Sequence, residues 1–315
     1  MTAGPATIGV DIGGTNIRAA IVSPEGELGA RLRFPTAAQR GPKAVVDDLA
    51  GRLRKMIAAH GGPIGAVGAG CPGPLSTPQG IVFETPNLPG WDRFPLRDEL
   101  AARLGLPVVI HNDANAAAWG EFTHGAARGA DTVIMYTLGT GVGGGLVIDR
   151  KLRIGPDTTA GELGHTVLVP HGRPCGCGSR GCLEAYASAT AVASRAREAI
   201  AHGRESSLQS LPPQEITSHH VDHAADAGDR LAQEILQEAG FFLGLAAASL
   251  VNALNPDLIV YGGGMVNARP WLFPVIEKTI HEYAFKAPAA RVRIAAASLG
   301  DDAGIVGAAA LALAP

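Results

Sequence analysis

His165 and the cysteines at 175, 177 and 182 fall within eighteen residues of one another in a glycine-rich stretch. One imidazole and three thiols make a closed Cys₃His set, the usual coordination of structural zinc. A Cys-x-Cys pair is badly placed to close its own disulfide, which also favours a metal over oxidation. His171, in the turn Pro170-His171-Gly172, is a rival fourth ligand. Glu162 and Glu184 flank the cluster, and carboxylates carried on a rigid loop are natural acceptors for hydroxyl groups. A different chemistry is offered by His111-Asn112-Asp113-Ala114-Asn115. A carboxylate where a strand hands over to a helix, flanked by side-chain amides, suits taking a proton from a hydroxyl that the amides orient. Asp113 fits a helix N-cap equally well.

Two glycine runs add a third chemistry. In Asp11-Ile12-Gly13-Gly14-Thr15-Asn16-Ile17-Arg18, glycines after a strand let backbone N–H groups approach phosphate oxygens, and a carboxylate at the strand end can hold Mg²⁺ through water. A plain β-turn would need the same residues. The second run, Leu138-Gly139-Thr140-Gly141-Val142-Gly143-Gly144-Gly145, leads into an extended Leu146-Val147-Ile148 rather than a helix, which argues against a dinucleotide fingerprint. No GxxxxGK[ST] occurs, so this is not a P-loop chain. Two such turns from duplicated halves make the phosphate clamp expected between the lobes of actin-like kinases.

The elements that must position these groups follow from periodicity. Residues 7–11 and 17–22 read as strands around the first turn, 28–34 as a third strand, 42–60 as a helix with Val45, Val46, Leu49, Leu53, Met56 and Ile57 at helical spacing, then strand 64–70, helix 97–104 and strand 107–111. After a helix at 113–126 the pattern restarts with strand 131–138, a glycine turn over 139–145, strand 145–148 and an extended run at 151–154, which reads as an internal duplication. A polar, irregular region follows at 203–225, then a helix at 232–254, a strand at 258–261 entering Gly262-Gly263-Gly264, and a helix at 302–313. The architecture expected is α/β with duplicated mixed sheets.

At 315 residues the chain is long enough for two domains, and 46% hydrophobic against 17% charged residues is a globular balance. With 26 Lys and Arg against 29 Asp and Glu, the net charge of −3 gives no field for nucleic acid or an anionic membrane. The amino terminus lacks a basic segment followed by a long apolar one, so a cytoplasmic protein is expected. The apolar run 241–254 is short of the ~20 residues that span a bilayer and reads as a buried helix. His219, His220 and His223 look metal-like but read as solvated surface, and Cys71 reads as a small core residue.

The spacing ExGH, ten residues, CxCxxxxC and a Glu two residues on, together with DxGGTxxR, NDANAAAWGE and LGTGxGGG, closely resembles the ROK family of repressors and sugar kinases, and within it the bacterial glucokinases. The likeness extends to Gly262-Gly263-Gly264 and Asp302-Ala303-Gly304, essentially the whole chain. It implies a two-lobed actin-like ATPase (ribonuclease H-like) fold with a cleft between the lobes, a small lobe of 1–112 plus about 301–315 and a large lobe of 113–300. It implies Asp113 as catalytic base, with Asn112, Glu162, His165 and Glu184 as sugar ligands and Gly73 and Asn87 on the opposite wall. It implies phosphate and Mg²⁺ contacts from Asp11, Gly13, Gly14, Thr15, Asn16, Arg18, Thr140 and Gly141, with Gly263 and Gly264 at adenosine. His165 would serve twice, one ring nitrogen on zinc and the other toward the sugar. The implied reaction is phosphorylation of glucose by ATP, by a homodimer or homotetramer. Pro74 stands where the family's N-acetylmannosamine kinases place an arginine. Another hexose or N-acetylhexosamine, polyphosphate as donor, and a sugar-sensing regulator without turnover are the alternatives. For the regulator, an added amino-terminal helix-turn-helix is expected, and six residues before the first strand do not hold one.

Overall fold

The computed structural model describes residues 4–83, 85 and 88–313. The chain opens with β1 (Ala6–Ile12), β2 (Asn16–Val22) and β3 (Leu28–Pro35), followed by α1 (Pro42–His60), β4 (Ile64–Cys71), the small hairpin β5 (Leu75–Ser76) and β6 (Ile81–Val82), α2 (Leu96–Leu104), β7 (Val108–Asn112) and α3 (Asp113–His124). The first sheet has the order β3-β2-β1-β4-β7, with β1, β2 and β3 antiparallel and β1, β4 and β7 parallel. Period-two alternation decides which face is which. Ile8, Val10 and Ile12, with Val67, Ala69, Val108 and Ile110, enter a core shared with Val45, Val46, Leu49 and Leu53 of α1 and Leu96 and Leu100 of α2. Pro42 begins α1 and Gly61, at φ 68°, ends it, as helix boundary chemistry expects.

The chain continues through β8 (Val133–Leu138), β9 (Val142–Ile148), β10 (Lys151–Leu152), α4 (Glu184–Ala187), α5 (Ala189–Ala201), α6 (Ser218–Asp226), α7 (Arg230–Leu254), β11 (Leu258–Gly262), α8 (Arg269–Tyr283), α9 (Lys286–Arg291), β12 (Arg293–Ala296) and α10 (Ala303–Leu311). The second sheet, β10-β9-β8-β11-β12, repeats the strand order of the first, so the duplication read from the glycine runs is a duplication of topology. Contacts define two compact units, 1–129 with 145–161 and 298–315, and 130–144 with 162–297. These differ from the lobes expected from the sequence at 113–129 and 145–161. The reason is packing within the first unit, where α3 lies along α10 and Gly145 lets Ala118 approach to where its own Cβ would stand. β9 starts at Val142, inside the run expected to be a turn.

On the face of the first sheet opposite α1, glycines let backbones close on one another beside Ala20 and Val22, which pack on Ile305 and Ala309. A Cβ on Gly68 would overlap the Ala308 carbonyl of α10, and one on Gly307 would overlap the Ala116 carbonyl of α3, so three backbones meet with almost no side chain between them. Glu121, fully buried near the end of α3, ties this assembly together. Its carboxylate accepts from Ala126 N (2.7 Å), Ser298 N (3.1 Å), Ser298 Oγ (3.2 Å) and Leu299 N (2.8 Å). Glu121→Gln puts an NH₂ group against at least one of these donors and is expected to cost about 2 kcal/mol or more in chemical denaturation, with the slope unchanged.

In the second unit α7 is long and apolar enough to cross a membrane, but Leu236, Ala239, Leu243, Ala246, Ala247 and Val251 are buried and the helix packs along α8. It is a core helix, as its sequence reads. The region 203–225, read as irregular, contains two 3₁₀ turns (Ser207–Ser210 and Pro213–Glu215) and most of α6. The start of α6 is a capping box of Thr217 with His220, where a Glu or Gln normally gives the signal.

Candidate active site

In the first unit the groups of interest gather at the carboxyl ends of β1, β4 and β7, the edge where open α/β sheets bind ligands. Asp11 is level with Gly70, and Cys71 with Asn112. The Cys71 thiol is held well above its usual range by burial and then by the Asp113 and Asp11 carboxylates, which places both acids around it. Asn112 is the N-cap of α3, its Oδ1 accepting from Ala114 N at 2.9 Å and Asn115 N at 3.1 Å. The capping role open to Asp113 is thus filled by its neighbour. Asp113 is the first helical residue, with Oδ1 on Ala114 N at 2.9 Å and its charge at the positive end of the helix dipole. His111, just before it, is pushed down to about 4 by burial and is neutral at pH 7, so it does not compete for the proton.

The first glycine turn closes β1 onto β2 with Gly13 N on Asn16 O at 3.0 Å, and Thr36 Oγ1 ties down the Gly13 carbonyl. Asp11 faces Arg18 across the hairpin, with Nη2 at 2.5 Å and Nε at 3.1 Å from the same carboxylate oxygen. Gly73, at φ 85° two residues beyond β4, packs against the Thr85 side chain. Asn87 lies outside the described residues.

In the second unit both glycine turns follow adjacent parallel strands, since Gly262 is level with Thr137. The Gly139 carbonyl accepts from Ala189 N (2.9 Å) and the Thr140 carbonyl from Thr190 Oγ1 (2.8 Å), so the start of α5, capped by Ser188, holds this turn by its oxygens. That anchor was missed in the sequence, although Ser188 before an apolar helix is an N-cap signal. Gly263, at φ 87°, has its Cα over the Leu138 carbonyl, whereas Gly264 faces open space. Gly263 is therefore required by packing, and of the pair it is Gly264 whose backbone a ligand could approach.

His165, Cys175, Cys177 and Cys182 offer four ligand atoms that all lie within 4.8 Å of one another, and His171 is not among them. His165 Nδ1 is 3.7 Å from Cys175 Sγ, and Cys177 Sγ is 3.8 Å from Cys182 Sγ. Burial pushes the Cys175 thiol up to about 12, and a hydrogen bond from the Ser179 backbone lowers Cys177. Three thiols this close cannot all ionise without a cation among them, so the donor set fits a metal centre. Glu184 opens α4 beside the cluster, with Oε1 3.5 Å from Cys175 Sγ and Oε2 accepting from Val142 N at 3.0 Å. It thereby joins the metal loop to the glycine turn. Glu162 is exposed at the start of the 3₁₀ turn Leu163–His165.

Paired sheets of one strand order, each with a glycine turn after its first strand, define the actin-like sugar kinase fold, and the chain belongs to the ROK family, matched over residues 7–314. The glucokinase of Halalkalibacterium halodurans is 39% identical over 306 residues, 95% of this chain and 92% of its own length. That of Streptomyces coelicolor is 39% identical over 317 residues, 98% of each chain. Among solved structures, a ROK family glucokinase from Streptomyces griseus in complex with glucose and AMPPNP is 37% identical, with a TM-score of 0.84, over 98% of this chain and 99% of that one.

Proposed function

We propose that this chain is a sugar kinase that transfers the γ-phosphoryl group of ATP to the 6-hydroxyl of glucose. The observation that carries this reading is the division of labour at the start of α3, where Asn112 caps the helix and leaves Asp113 to chemistry. Asp113 accepts the hydroxyl proton as that oxygen bonds to phosphorus and the bond to the departing ADP oxygen breaks. Phosphoryl transfer needs mainly positioning and charge neutralisation, so the proton moves late. Asn112 spends its Oδ1 on the cap and so offers the sugar its Nδ2 hydrogens.

Thr140 and Gly141 meet the phosphates on the N–H side of a turn whose carbonyls are already engaged. Asp11, Gly13, Gly14, Thr15 and Asn16 form the matching turn, with Gly264 and its neighbour Gly263 at the adenosine. Mg²⁺ held near Asp11 would neutralise phosphate charge, and Arg18 holds that carboxylate in place. Glu162, His165 and Glu184 bind sugar hydroxyls, as do Gly73 and Asn87. Zinc suits the Cys₃His group and, when bound, would fix the His165 tautomer from one ring nitrogen. Cysteines without disulfides and a reaction that uses ATP support a cytoplasmic location.

A coupled assay with ATP beside polyphosphate, over glucose, mannose, fructose, N-acetylglucosamine and N-acetylmannosamine, tests donor and acceptor at once. Glucose with ATP is expected to give the highest kcat/KM, with mannose weaker and both acetylated sugars poor by more than the ~10–200-fold that pocket size alone supplies. A preference for an acetylated sugar would overturn the acceptor assignment. Sugar binding with no turnover from either donor would favour a sensing protein instead.

A further inference from the structure

We propose that His219 and His223 form a second, exchangeable site for a divalent transition-metal ion on the exposed face of α6, apart from the Cys₃His group. The two residues are four apart on one helix and both are exposed, with their Nε2 atoms 3.0 Å from each other. Two nitrogens bound to one ion at about 2.0–2.1 Å, at an angle between octahedral and tetrahedral, lie about 2.8–3.4 Å apart. The observed separation is therefore already that of two ligands on one metal. The rings stand at 89° with centroids 4.2 Å apart, and the two Nε2 atoms share a hydrogen bond that a bound ion would replace. His220 does not share this role, because its Nδ1 faces the Thr217 backbone and hydroxyl in the capping box.

A second observation points the same way. Asp222 Oδ1 is buried and has no hydrogen-bond partner, and the residue interacts electrostatically with both His219 and His223. Asp226, one turn on, uses one oxygen to accept from Trp271 Nε1 at 2.8 Å. Among the described ion pairs neither acid has a Lys or Arg partner. Both carboxylates lie on the same helix as the two imidazoles, where they would offset part of the charge of a bound cation. Imidazole nitrogens select borderline ions, Zn²⁺, Ni²⁺ or Cu²⁺, over Mg²⁺ or Ca²⁺. Water would complete the coordination, leaving the ion open to exchange.

Ni²⁺ is the probe, titrated calorimetrically into the zinc-loaded protein with Mg²⁺ in excess. One Ni²⁺ per chain is expected, with affinity reduced at least about tenfold in His219→Asn and in His223→Asn, and unchanged in the control His60→Asn. Both imidazoles are exposed, so melting temperatures without nickel should match the parent, which separates ligand loss from misfolding. Uptake of Ni²⁺ with the same affinity in both variants, or no uptake in the micromolar to millimolar range, would overturn the assignment. Glucose phosphorylation is not used as the readout, so the outcome does not depend on the proposed reaction.

Discussion

Asp113→Asn is expected to lower kcat about 10²–10⁴-fold while leaving glucose affinity within about tenfold. The substitution is unusually clean at this position. Asn112 keeps the cap of α3, and an asparagine at 113 can still accept from Ala114 N, so the helix starts where it did. What is lost is the charge at the helix amino terminus, about 0.3–1 kcal/mol of stability, and the carboxylate proposed to take the hydroxyl proton. His111 cannot substitute, because burial holds its imidazole at about 4 and a base that weak gains little from the transfer. Turnover and equilibrium glucose binding should be measured on the same preparation. Near-normal kcat would remove Asp113 from the chemistry. A parallel loss of affinity and melting temperature would assign it a structural role instead.

Cys177→Ala is expected to abolish stoichiometric zinc and, with it, most glucose affinity. Cys177 is exposed whereas Cys182 is fully buried, so truncation at 177 removes a ligand without opening a cavity. Between Glu162 and Glu184 the chain has only a 3₁₀ turn and two isolated bridges, Val167 with Cys182 and Pro174 with Arg180. A loop of that length with so little regular structure depends on a crosslink for its shape, and loss of a direct ligand weakens a metal site at least about 10²-fold. His165 and Glu184 are carried on the loop, so KM for glucose should rise more than kcat falls. Metal analysis of the parent should find one tightly held zinc per chain after dialysis. Active protein with none would refute the assignment.

The sequence made most elements legible because their signals are local. Apolar spacing marks α1 at its observed ends, and Gly61 closes it. The metal group was equally readable, since one histidine and three cysteines lie within a short stretch. Other features depend on distant partners and carry no local signal. Nothing in the sequence singles out Gly68 and Gly307, yet each is fixed by a backbone far along the chain. Nothing in the sequence marks Glu121 as buried, and the folding-back of 298–299 supplies three of the four donors to its carboxylate. In the sequence Asp113 fits the cap as well as it fits catalysis, and the structure gives the cap to Asn112.

The docking of α10 has a consequence for biosynthesis. The sheet face it covers belongs to β1 and β4, which are synthesised well before residues 303–311. The first unit therefore cannot close as its strands leave the ribosome, and nascent chains must carry a bare glycine-lined surface while 130–297 is synthesised and folds. Folding by units during synthesis is the general rule, but here the second unit should acquire protease resistance first, the reverse of the order in which their first strands are made.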